Sequence, residues 1–117
     1  MTDVFISVPN PITIEGSSFN VTAYFRDSSN AAEAPTTSKY RIDCLSTGKE
    51  LLDWTTLTPA VSNSIAITAT YNAIQNSSNT TEKKQITVAA NPGGATQTRD
   101  VAIWLTENVS GVDTTSS

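Results

Sequence analysis

Apolar and polar residues alternate with a period of two along most of this chain, setting out short strands separated by turns. Val4, Ile6 and Val8 face one way against Asp3, Phe5 and Ser7. Pro9-Asn10-Pro11 interrupts that run, which resumes at Ile12-Thr13-Ile14. Proline donates nothing to a ladder, so this first strand is expected at an edge, broken where the chain switches from one sheet to another. From Phe19 to Arg26, Phe19, Val21, Ala23 and Phe25 share the inward face; from Lys39 to Leu45 that face carries Tyr40, Ile42 and Cys44. A turn at Ser46-Thr47-Gly48-Lys49 returns the chain through Leu51 and Leu52 to Trp54. After a connection over Thr55 to Asn63, Ser64 to Tyr71 alternates again on Ile65, Ile67, Ala69 and Tyr71. Lys84 to Ala90 turns Ile86, Val88 and Ala90 inward, and Gln97 to Glu107 is read with Val101, Ile103 and Leu105 inward.

The fold this pattern predicts is all-β: an immunoglobulin-like β-sandwich of about seven to nine antiparallel strands with no substantial helix. A single domain over residues 1–109 is expected, followed by a flexible polar tail over 110–117, SGVDTTSS. Phe19, Phe25, Tyr40, Ile42, Cys44 and Trp54 are expected to plug the core. The segments Asp27 to Ser38 and Asn72 to Thr81 read as polar loops, with Ile74 the one residue of the second expected to dock.

Composition acts mainly by exclusion. The net charge is −4, and the seven basic residues are scattered, Lys83-Lys84 being the one pair. That pair reads as a solvated strand entry, and nucleic acid is not an expected partner, because phosphate binding needs clustered cations. The N-terminal MTDVFISVPNP has neither the basic start nor the apolar core of a secretion signal, and no segment is long enough for a membrane span, so neither secretion nor a membrane partner is expected. One cysteine cannot form an intrachain disulfide, which fits folding in a reducing cytoplasm. Cys44 alternates in phase with Tyr40 and Ile42 and is read as a buried structural thiol.

Candidate chemistry is sparse. There is no histidine, which removes the commonest general base and metal ligand together with serine and cysteine triads. Carboxylates are dispersed. Asp27, Ser29, Asn30 and Glu33 offer oxygen ligands of the kind calcium takes, but lack the glycine and spacing of a calcium loop, so an ordinary polar loop is the reading. No enzyme activity, cofactor or metal is expected. What stands out instead are aromatic residues off the apolar phase: Tyr24 and Trp104 fall opposite the apolar residues of their own strands. With Phe5 they form the candidate interaction surface, since tyrosine and tryptophan are enriched at interfaces.

The run Lys39-Tyr40-Arg41-Ile42-Asp43, the segment Leu51-Leu52-Asp53-Trp54-Thr55, Pro59 and the strand Lys84 to Ala90 resemble short single-domain Ig-like proteins found among the structural genes of tailed bacteriophages. The resemblance covers about Phe19 to Asn108 and rests on strand residues, so it carries over no functional residues. It implies a non-enzymatic protein made in the bacterial host cytoplasm and incorporated in the virion, foremost as a capsid decoration protein on the head surface. Its implied partners are capsid or other virion proteins, with homo-oligomers possible. The alternative is a tail-associated Ig-like module that binds carbohydrate or a host receptor, with Tyr24 or Trp104 as stacking platform.

Overall fold

A computed structural model describes residues 2–93 and 97–108 of the chain. The polar tail expected over 110–117, and residue 109 at the expected domain limit, lie outside the described residues. Among the described residues eight strands form: β1 (Asp3–Ser7), β2 (Ile12–Ile14), β3 (Phe19–Arg26), β4 (Ser38–Cys44), β5 (Lys49–Leu57), β6 (Ser62–Ile67), β7 (Thr81–Ala90) and β8 (Thr98–Glu107). They make a β-sandwich of a three-stranded sheet, in the order β1-β3-β6, and a five-stranded sheet, in the order β2-β8-β7-β4-β5. No helix occurs among the described residues, and hence none able to cross a membrane.

The Pro9-Asn10-Pro11 break does what the sequence indicates. β1 lies at the edge of the smaller sheet, antiparallel to β3, and beyond the prolines β2 joins the larger sheet, parallel to β8. The Pro11 carbonyl accepts the Leu105 N–H at 2.8 Å, which starts that parallel ladder. Gly48 takes φ of +73° in the β4–β5 turn, a left-handed backbone that a side chain would strain.

The two sheets bury Val4, Val21, Ala23, Phe25, Ile42, Ile65, Ile67, Ile86, Val88, Ala90 and Trp104 between them. Of the expected core plug, Phe25, Ile42 and Cys44 are buried, while Phe19 and Tyr40 are partly buried against the same cluster. Trp54 is not in that plug. Tyr40 pairs with Thr55 and Ile42 with Leu52, so β5 sets both Asp53 and Trp54 against Arg41 alone. This β-bulge shifts the alternation by one residue and turns Trp54 to the outer face. Asp53 stabilises it by accepting the Trp54 N–H on its carboxylate at 2.7 Å. That bond, ahead of the contact with Glu50, holds the Asp53 carboxyl below its ordinary value.

β8 corrects the second tryptophan. Lys84 pairs with Trp104 and Ile86 with Ala102, and cross-strand partners share a face. Since Ile86 and Val88 point inward, so do Ala102, Trp104 and Thr106, while Val101 and Ile103 are exposed. The reading of β8 was thus inverted: Trp104 is a core residue with no accessible surface, and its ring meets Phe19 edge-on at 5.5 Å. The same register buries Lys84 and Glu82, so only Lys83 of the basic pair is exposed.

Candidate functional site

Among the described residues, four side-chain assemblies stand apart from the apolar core, two interior and two on the surface. The first interior assembly is built on Asn72, fully buried at the start of the loop before β7. Its Oδ1 accepts from Trp104 Nε1 at 2.9 Å, Thr106 Oγ1 at 2.6 Å and Thr13 Oγ1 at 3.2 Å. Its Nδ2 donates to the carbonyls of Ile14 and Ser17 at 3.3 and 3.1 Å. Its own carbonyl accepts the Gly16 N–H at 2.9 Å. One amide thereby ties β2 and the following turn to the inner face of β8.

The second is a buried ion pair, Glu82 and Lys84, 2.9 Å apart. Glu82 also accepts the backbone N–H groups of Gln75 and Asn76 at 2.7 and 2.9 Å and the Asn79 amide at 3.0 Å. Lys84 Nζ also donates to the Ala73 carbonyl at 2.7 Å and to Cys44 Sγ at 3.6 Å. Burial acts to raise the Glu82 carboxyl, but the Gln75 N–H, the Lys84 ammonium, the Asn79 amide and the Asn76 N–H outweigh it and hold it at about 2. The pair docks the 73–79 loop on the body. The two charges match, both side chains are fully buried, and we assign the pair a structural role.

The third assembly is on the surface. On the outer face of the three-stranded sheet Phe5 pairs with Tyr24, and their rings stack 5.7 Å apart at an interplanar angle of 17°. The Arg26 guanidinium lies over the Tyr24 ring at 5.5 Å. Phe5 is 38% exposed, and next to Tyr24 a shallow cleft of about 340 Å³ is bounded by Thr22, Arg26, Ala32, Val61 and Ser62. Stacked rings with a cation on one edge present apolar area and a point of charge together, the combination that contact surfaces favour. Two of the three expected surface residues, Phe5 and Tyr24, are therefore brought together; Trp104 is not with them.

Sequence reasoning missed Trp54 as a surface residue. Its ring lies under Lys39 Nζ at 4.6 Å and near the Arg41 guanidinium at 5.7 Å, beside a cleft of about 300 Å³ that Arg99 and Gln97 also line. Arg41 in turn grips Asp43 through two hydrogen bonds at 3.0 and 2.7 Å. A signal was present: Asp53 between Leu52 and Trp54 is the kind of polar interruption at which a strand bulges. We expect iodide to quench Trp54 fluorescence and leave Trp104 dark to the quencher, so that Trp54→Phe abolishes quenching. Trp54→Ala should cost about 1–2 kcal/mol, as for a half-buried ring under a cation, and Trp104→Ala about 3–5 kcal/mol, as for a core tryptophan. Equal quenching of the two tryptophans would contradict the assignment.

The Asp27 loop is closed by its own backbone. Asp27 Oδ1 accepts the Ser29 and Ala31 N–H groups at 2.8 and 3.0 Å, and Glu33 accepts the Thr2 hydroxyl. Among the described residues no three His, Cys, Asp or Glu side chains are grouped to hold a metal ion.

No family model matches the chain, and no curated protein matches it. Among solved structures it is similar to a conjugative transposon lipoprotein from Bacteroides eggerthii, at a TM-score of 0.53 and 12% identity, over 88% of this chain and 95% of that one. At such identity the likeness shows a shared fold alone.

Proposed function

We propose that this chain is a non-enzymatic structural protein of a tailed-bacteriophage virion, a capsid decoration protein that binds the head surface through the outer face of its three-stranded sheet. The observation that carries the choice of surface is the outward Phe5–Tyr24 stack under Arg26. The sequence resemblance supplies the partner. The strand order supports an immunoglobulin-like assignment, since the first strand divides between the two sheets and the β7–β8 pair is central to the larger one. The free edge of β1 adds a second means of attachment, because its unpaired backbone groups offer a ladder to a neighbouring strand.

Purified protein should co-sediment with heads of the phage that carries the gene. Phe5→Ala and Tyr24→Ala should each weaken that association by about thirtyfold, the effect of losing a hot-spot aromatic worth about 2 kcal/mol. Failure to co-sediment, together with absence of the protein from virion mass spectra, would overturn the proposal.

A second reading, a tail-associated module that binds carbohydrate or a host receptor, draws on the same flat ring pair as a stacking platform. Glycan-array binding abolished by Tyr24→Ala, with no binding to heads, would select it.

A further inference from the structure

The outer face of β8 carries a pattern that the proposed function leaves unused. Its outward residues, in order, are Arg99, Val101, Ile103, Leu105 and Glu107. A cation, three aliphatic residues and an anion read as their own complement when the strand is reversed about Ile103. Val101 and Ile103 are 47% and 43% exposed, and on β2, paired alongside, Ile12 and Ile14 are 49% and 56% exposed. Four large aliphatic side chains on one open sheet face are more than the scattered apolar residues of an ordinary surface. Neither Arg99 nor Glu107 forms an ion pair within the chain among the described residues.

We infer that this face is the interface of a homodimer, two copies stacking their larger sheets with β8 antiparallel over β8. A two-fold axis through Ile103, lying in the interface, sets Ile103 against Ile103 once, on the axis, and Val101 against Leu105 and Arg99 against Glu107 twice each. Stacked sheets cross at about 30° and about 10 Å apart. Eight residues of strand separate the two charges, so the crossing offsets each Arg99–Glu107 pair sideways by about 7 Å, within the combined reach of the two side chains. β2 is three residues long and flanks only the Leu105 end of β8. The same axis places the partner's β2 beside the opposite end, where Ile12 and Ile14 cover Val101. Charge complementarity and shape thus both select a second copy as the occupant. Dimerisation through the larger sheet leaves the Phe5–Tyr24 faces on the two outer sides, giving bivalent attachment.

Sedimentation velocity across a dilution series tests this on the intact chain. The expected result is a species of twice the 12.4 kDa chain mass that dissociates on dilution. Ile103→Lys, which brings two like charges together on the axis, should leave only monomer that melts as the wild type does when diluted to monomer, because the site is exposed in the single chain. Arg99→Glu and Glu107→Arg should each weaken the dimer at least tenfold, and the double exchange should restore it. Monomer at every concentration, a dimer indifferent to Ile103→Lys, or a double exchange that fails to restore it would overturn the inference. So would a β8 face that becomes protected only on phage heads, which assigns it to a virion partner. The head-binding test uses the other sheet, so either proposal can fail alone.

Discussion

Replacing Asn72 with alanine is expected to destabilise the protein by about 3–5 kcal/mol, because it strands two buried donors at once. Trp104 Nε1 and the Thr106 hydroxyl both have Asn72 Oδ1 as acceptor, and both residues have no accessible surface. Thr13 is less dependent, since its hydroxyl also reaches the Leu105 carbonyl at 3.1 Å, so Thr13→Ala should cost about 1 kcal/mol or less, a typical single hydrogen bond. Asn72→Asp separates the two halves of the argument. It keeps the acceptor, but loses the donations to Ile14 and Ser17 and buries a charge, so it should be no better tolerated than alanine. Urea denaturation measures the stabilities. Hydrogen exchange locates the damage, which should appear first in β2, the strand that Asn72 ties to β8.

The acid limb of stability is expected to belong largely to Glu82. Its folded value of about 2 lies below the ordinary 4.5, so its contribution is fully present above about pH 4.5 and is lost as pH falls toward 2. A shift of that size corresponds to about 3 kcal/mol. Glu82→Gln should therefore flatten stability against pH over that interval and lower it at neutral pH. Glu82→Ala should cost about 3–5 kcal/mol, because it leaves the Lys84 ammonium buried without its counter-charge. Lys84→Met should cost less, since the Gln75, Asn76 and Asn79 donors still hold the carboxylate. If the wild type and Glu82→Gln lost stability in parallel between pH 4.5 and 2, the buried pair would not be the source of the acid limb.

Both assemblies show where the sequence could be read and where it could not. Alternation located β3 and β4 and chose their inward faces correctly, because Val21, Ala23 and Phe25, and then Ile42 and Cys44, are opposed by polar residues. In β8 it failed because both faces are apolar: three aliphatic residues outweighed Trp104, and the aliphatic face is the outer one. Glu82 and Lys84 continue the inward phase of Ile86 and Val88, yet Lys84, as half of a basic pair, reads as solvated; the loop folded over both charges makes their burial tolerable. Asn72 lies in a polar loop, and its partners are 32 and 34 residues away, a relation that no local pattern carries. Of the candidate surface, Phe5 and Tyr24 were legible from phase alone, and their stacking from neither strand separately. Trp54 was hidden by a single inserted residue.

Scaffold and proposed contact surface are therefore separate: the tryptophan between the sheets is structural, and the proposed attachment is through the outer face of β1 and β3. Hydrogen exchange on the protein bound to phage heads, compared with the free protein, tests that division most directly. Added protection is expected in β1 and in β3 around Tyr24, with the edge of β5 in the other sheet unchanged. Protection confined to β4 and β5 around Trp54, or no protection anywhere, would contradict it.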